Sequence, residues 1–291
     1  QCRSAEKWRY WLSRTLRMRV IDAQIHLWAR ETSERRWPEY GRSYAHGQEL
    51  LVEEAITRMD QAGVDAAILV PPSWEGDRND VCLDAALRFP DRFAVMGRFP
   101  IEVVSERDRL ETWREQVGML GIRLTFHNRF QKAWLHDGTA DWFWGVAERL
   151  RIPLMLFVPD SLVEIGRIAE RFPELKLVLD HLALFGRYDD QLMSKLSPTL
   201  ALARFPNIAV KASCMPNLVS EDYPFPSLLA AIHRIVDVYG PDRTFWGSDV
   251  SRLKCSWREC RTLFMEECSF LSSDDLEWVM GRGIQEWLRW K

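Results

Sequence analysis

Short apolar or β-branched runs alternate with stretches whose apolar residues recur every three or four positions, along nearly the whole chain. This alternation predicts parallel βα units: a strand buried on both faces reads as a continuous apolar run, and a covering helix carries one apolar stripe. The predicted strands are residues 19–26, 65–70, 93–99, 121–126, 153–158, 175–180, 208–212 and 244–247. Between them the period predicts helices over 49–62, 79–89, a stretch ending near Val117, 141–150, 162–171, 197–204 and 227–239, with a helical tail over 257–267 and 274–290. In the first helix Leu51, Ala55, Ile56 and Met59 share a face, and Gly63 closes it as a C-terminal glycine does. Phe-Pro pairs at Phe89-Pro90, Phe172-Pro173 and Phe205-Pro206 each end a helix just before a strand. Eight such units predict a single α/β domain over residues 18–291, a (β/α)8 TIM barrel with C-terminal helices. No G-x-G-x-x-G or Walker glycine pattern follows any strand, which counts against a dinucleotide-binding fold.

Composition changes this picture little. Hydrophobic residues make up 47% and charged residues 28%, an ordinary balance for a large core. The net charge of −3 gives no general attraction to nucleic acid or anionic membrane, and no apolar run has the length of a span. The six cysteines form no C-x-x-C pair and no disulfide-like spacing, so reduced thiols and a cytoplasmic location are expected. Residues 1–17 carry Arg3, Lys7, Arg9, Arg14 and Arg17 against a lone Glu6, and are expected to be an extension outside the fold. The expected partner is a small-molecule substrate; a homo-oligomer stays open.

Catalytic groups of a barrel come from the carboxyl ends of several strands, so polar residues there are informative. Gln24 and His26 end the first strand two positions apart, hence on one face. Arg123 stands in the fourth, Asp180-His181 ends the sixth, Lys211 stands in the seventh and Ser248-Asp249 follows the eighth. Any one of these could be a hydrogen-bonded rim residue. Their convergence on one rim favours a site, because buried charges are costly unless paired or used. Trp28, Trp37, Trp74, Trp134 and Trp246 fall at loops or strand ends and could wall a pocket, although packing is the commoner use of the ring. His127 and His136 could line the mouth, as could His46; His233 reads as packing or surface.

The segments VIDAQIHLW at 20–28, GIRLTF at 121–126, LVLDHLAL at 177–184, NIAVKAS at 207–213 and FWGSDVSR at 245–252 resemble the amidohydrolase-related (amidohydrolase 2) family. The resemblance is to its lactonase side, typified by 2-pyrone-4,6-dicarboxylate lactonase and sugar-lactone hydrolases. It implies a metal site with an H-x-H pair on strand one, a His on strand five and an Asp on strand eight. Only His26 and Asp249 match those ligands; Gln24 replaces the first His, and Phe157-Val158 stand where strand five would supply one. His181 matches a catalytic histidine of the family. Two ligands and an amide make a poor cage for zinc, so metal-free chemistry is favoured. A weakly bound divalent ion on His26, Asp249 and His181 remains the alternative.

The expected reaction is hydrolysis of a small, carboxylated cyclic ester. Asp249 would take the proton of water, and His26 and His181 would polarise the carbonyl as donors. Arg123 and Lys211 would hold a substrate carboxylate with Gln24, and Trp28, Trp74 and Trp246 would form apolar walls. A nonoxidative decarboxylase on the same barrel and a non-catalytic binder of small acids are the rival readings.

Overall fold

The computed structural model describes residues 18–39 and 49–291; the extension over 1–17 and His46 lie outside them. Eight strands follow the expected order: β1 (Ile21–Ile25), β2 (Ala66–Leu69), β3 (Phe93–Gly97), β4 (Met119–Thr125), β5 (Leu154–Phe157), β6 (Leu177–Leu179), β7 (Ile208–Ser213) and β8 (Thr244–Gly247). Each pairs in parallel with the next, which makes a (β/α)8 barrel. Its outer layer includes α1 (Val52–Ala62), α2 (Asp80–Arg88), α4 (Asp141–Arg149), α5 (Leu162–Arg171), α6 (Leu192–Ala201) and α7 (Pro226–Tyr239). A short α3 (Arg129–Ala133) lies in the loop after β4. The tail forms α8 (Trp257–Thr262), α9 (Ser273–Glu277) and α10 (Gly283–Leu288). Gly63, at φ 73°, ends α1 in the left-handed region as expected.

Two helices depart from the sequence pattern. The connection before β4 is not α-helical but two 3₁₀ segments, Val104–Leu110 and Trp113–Glu115. Charged residues fill it, and only Leu110 and Trp113 bury a side chain, so no stripe exists to hold a full helix. α6 starts at Leu192, before the expected residue 197, and carries Pro198 inside it. Burial of Leu192, Leu196 and Thr199 along one face holds that earlier turn despite the proline.

The barrel interior has two tiers. Ile21, Ala23, Ile68, Met96, Met155, Val178, Ala209 and Phe245 fill the lower one. Above it the inward positions turn polar: Gln24, Arg123, Asp180 and Lys211, and higher still His26, Thr125, Ser213 and Asp249. In β1 the switch depends on a register irregularity between Asp22 and Ile25. Ala23 and Gln24 both face inward, so the phase that buried Ile21 and Ala23 then presents Gln24 and His26.

The seam between β1 and β8 is closed partly by a side chain. Asp22 Oδ1 accepts from the backbone N–H of Gln24 (3.0 Å) and of Ser248 (2.9 Å). Its Oδ2 accepts from the Trp257 indole at 2.8 Å, and Asp249 N–H donates to Gln24 C=O at 3.0 Å. At Gly247 a Cβ would meet Asp22 Oδ1 and Gln24 N, each at 3.3 Å, so glycine permits the close approach.

Candidate active site

A cavity of about 630 Å³ opens over the carboxyl ends of the strands, with Gln24, His26, Arg123, His181 and Asp249 at its floor and Trp74 in its wall. Lys211 is fully buried one tier below and reaches the floor through Gln24 and, by way of Asp180, through Arg123. Trp28 stands behind Trp74, edge to face at 5.4 Å. Trp246 does not reach the cavity. β8 alternates, so Phe245 points into the barrel while Trp246 faces the helices, its indole donating to Cys260 C=O at 3.3 Å. Trp37 packs on the outer core, and Trp134 lines a second, smaller cavity. Of the remaining histidines, His127 lines the main cavity, His136 is exposed and His233 stacks on Phe270 at 4.5 Å.

The floor holds two polar chains. In one, Asp180 accepts from Arg123 Nε (3.1 Å, to Oδ2) and faces Lys211 Nζ (2.8 Å, at Oδ1). Burial would raise the Asp180 pKa; Lys211 and Arg123 outweigh it and hold the carboxyl below its ordinary value. Lys211 also donates to Gln24 Oε1 at 2.7 Å, and Gln24 Nε2 lies 3.2 Å from His181 Nε2. An ammonium only donates, so the Gln24 carbonyl must face Lys211 and its NH₂ must face His181. His181 Nε2 is then an acceptor, and its proton sits on Nδ1, 2.8 Å from Ser213 Oγ. Burial pushes the His181 pKa down to about 4, which keeps this ring neutral. The expectation that His181 donates to the carbonyl is therefore corrected: the Lys211–Gln24 pair instead makes its Nε2 an acceptor from the Gln24 amide.

In the other chain, His26 Nδ1 donates to Val70 C=O at 2.6 Å, because a carbonyl can only accept. Its Nε2 stands 3.0 Å from Asp249 Oδ1, and His181 Nε2 stands 3.7 Å from Asp249 Oδ2. Burial alone would raise the Asp249 pKa; His26, His181 and Arg252 reverse that and hold it well below 3.8. His181 and Asp249 both have φ 52°, outside the usual region for such residues. Strain of this kind is concentrated at functional sites at a cost of roughly 1–3 kcal/mol each.

Sequence reasoning missed part of the lining. Among the described residues lining the cavity, Arg187, Arg252 and Lys254 stand with Arg123, four cationic side chains beside one carboxylate, Asp249. Arg252 falls inside the FWGSDVSR segment, which was its one signal; Arg187 and Lys254 lie on loops without one.

The metal implied by the resemblance was tested against the donors present. His26 Nε2 and Asp249 Oδ1 could both face one cation. The Gln24 carbonyl is taken by Lys211, and Phe157 puts an apolar ring 5.6 Å from the His181 ring. Among the described residues no group of three or more His, Cys, Asp or Glu could hold a metal ion. The donor set does not fit a three-ligand catalytic site.

A family model described as amidohydrolase matches residues 21–282. The chain is 25% identical to the L-fucono-1,5-lactonase of Burkholderia ambifaria over 243 residues, 80% of this chain and 81% of the relative. An amidohydrolase from Burkholderia multivorans with bound zinc superposes with TM-score 0.79 at 18% identity, covering 94% of this chain and 100% of that one. A structure from Acinetobacter baumannii with citric acid bound, described as a probable 2-pyrone-4,6-dicarboxylic acid hydrolase, gives TM-score 0.75 at 19% identity, with coverage of 94% and 100%. Solved decarboxylases share the fold at lower scores. No helix among the described residues is long and apolar enough to cross a membrane.

Proposed function

The chain belongs to the amidohydrolase family, and from that premise we propose that it hydrolyses a small carboxylated lactone at the mouth of its barrel. The observation that carries this reading is the charge pattern of the cavity. Among the described lining residues the one carboxylate is Asp249, held ionised, with Arg187, Arg252 and Lys254 around it and Arg123, paired to Asp180 below, beside them. Such a field draws in an anion and leaves one group able to take a proton from water. The lactonase among the relatives supports the ester as the reacting group.

In this mechanism water sits between the lactone carbonyl and Asp249. As its oxygen attacks, the proton moves to Asp249 Oδ2, and negative charge builds on the carbonyl oxygen. Arg252, beside Asp249, can donate to that oxyanion, and His26 borders Asp249 from the other side at 3.0 Å. His26 is steered by its bond to Val70 and cannot turn away. His181 Nε2, 3.7 Å from Oδ2, already accepts from the Gln24 amide, so the proton rests on Asp249. Collapse of the tetrahedral intermediate breaks the ring C–O bond, and the proton returns to the leaving alkoxide. The product is a hydroxy acid, whose new carboxyl releases its proton to solvent and so carries one more negative charge than the substrate. No step passes through a metal.

A panel of carboxylated lactones, neutral lactones and aromatic acids tests the reading, with acid release and carbon dioxide measured in parallel. Turnover of carboxylated lactones with acid release is expected. Carbon dioxide from aromatic acids would transfer the site to decarboxylation, and binding without turnover would make the barrel a receptor for small acids.

A further inference from the structure

A second cavity, of about 300 Å³, lies between the loops that follow β3 and β4, and Arg123 and Thr125 line both it and the main cavity. Arg98, immediately after β3, lines it as well and is 5% exposed. Its backbone is clamped by Asn79, whose Oδ1 accepts from Arg98 N–H at 2.7 Å and whose Nδ2 donates to Arg98 C=O at 3.0 Å. The guanidinium is poorly used by comparison. Its Nη1 is 3.4 Å from Thr125 Oγ1, which already accepts from Arg123 Nη1 at 2.6 Å. Its Nε has no hydrogen-bond partner among the described residues and is 3.5 Å from Asp77, a residue of the exposed rim. A guanidinium that served only the fold would have its donors met.

Two guanidinium groups thus converge on one hydroxyl inside the protein. Around the two cavities the buried charges are Arg98, Arg123 and Lys211 with Asp180 and Asp249; Asp22 is buried at the barrel seam and Glu75 against Arg35. Asp180 is committed to Arg123 and Lys211, and Asp249 to His26. Arg98 has as its counter-ion only the exposed Asp77, at 3.5 Å, and a buried charge so loosely paired is costly. The same field acts on His127, whose pKa falls to about 4 through burial and then through Arg123 and Arg98.

We propose that the second cavity is a carboxylate subsite, in which Arg98 and Arg123 together grip an acid group carried on an arm of the substrate. The arm runs over the Thr125 hydroxyl from the ring seated above Asp249. Phe99, Phe126 and Trp134 give the arm apolar walls, and the exposed Asp77 and Glu102 complete the lining. Two planar forks meeting one carboxylate favour it over an uncharged isostere. Arg98 is then the residue that separates carboxylated from neutral lactones. The reacting ring in this picture rests on the lactone reading; carboxylate capture does not.

Calorimetric titration separates the two, with 3-(tetrahydropyran-2-yl)propanoate and its carboxamide as probes that contain no lactone. The full chain is expected to bind the carboxylate and to reject the carboxamide. Arg98→Met weakens carboxylate binding about tenfold or more. Gln131→Glu adds a negative charge to the cavity wall while keeping the oxygen that accepts from Asn128 Nδ2 at 2.9 Å, so the fold is spared. It too weakens the carboxylate and leaves the carboxamide unaffected. If Arg98 only braces its loop, Arg98→Met lowers the melting temperature without changing the preference for the acid. That result, equal affinity for the two probes, or normal carboxylate binding by Gln131→Glu would overturn the proposal. Failure of lactone turnover with these binding differences intact would overturn the hydrolase reading alone.

Discussion

Asp22 and Asp249 sit on either side of the same seam, both almost wholly buried, and their carboxyl groups are driven in opposite directions. Asp22 faces outward between the strands and the helices. It meets two backbone N–H groups and an indole, all neutral, and burial raises its pKa to about 6. Asp249 faces the cavity, and His26, His181 and Arg252 hold its pKa down against the same burial. Equal depth does not set the charge of a carboxyl; the sign of its neighbours does. One aspartate closes a barrel, and the other is kept ionised at the mouth.

The largest effect should come from separating these roles by substitution. Asp249→Asn is expected to lower kcat by about 10²–10⁴-fold, the range for loss of a general base. Substrate binding should survive, and retained turnover would remove Asp249 from that role. Asp22→Asn should do the reverse: an amide cannot satisfy all three donors, so chemical denaturation is expected to show a loss of about 1–3 kcal/mol. Its kcat per folded molecule should stay near the parent value; a large fall there would blur the division.

A smaller effect should appear in the pH dependence of stability. The raised Asp22 pKa contributes stability that is full below 3.8 and is lost as pH rises through about 6. The lowered His181 pKa contributes stability that is full above 6.5 and is lost as pH falls through about 4. Between these values the two oppose each other. In Asp22→Asn the His181 component, joined by that of His127 in the same direction, is no longer opposed by Asp22. Stability should then climb with pH more steeply than in the parent; an unchanged slope would count against the Asp22 assignment. The smallest effect is expected from chelation. With the Gln24 carbonyl held by Lys211, removing divalent ions should leave kcat unaltered, and a loss restored by zinc would show that His26 and Asp249 recruit a ligand elsewhere.

The division between these regions was partly legible in the sequence. Parallel strands buried on both faces are continuous apolar runs, and so β8 begins and ends where the pattern put it, over Thr244–Gly247. Polar residues that interrupt or end such runs stand out, which is how Gln24, His26, Arg123, His181, Lys211 and Asp249 were found. What the pattern cannot carry is a side chain's direction once a strand slips register, as β1 does beside Asp22. Nor does it carry pairings between distant residues: Lys211 and Gln24 are 187 positions apart, yet their contact sets the tautomer of His181. Arg98, Arg187 and Arg252 were hidden among 39 lysines and arginines, most of them with no need to be buried or to converge. Trp246 was misread because strand alternation puts it on the helix side.

Carboxyl-carbon NMR of the protein labelled at aspartate, followed through an acid titration, tests the opposition of the two carboxyls most directly. The Asp22 signal is expected to move with a midpoint of about 6, and the Asp249 signal to stay in its ionised position as pH falls past 3.8. An Asp249 midpoint at or above 3.8 would contradict an aspartate held ionised by its neighbours.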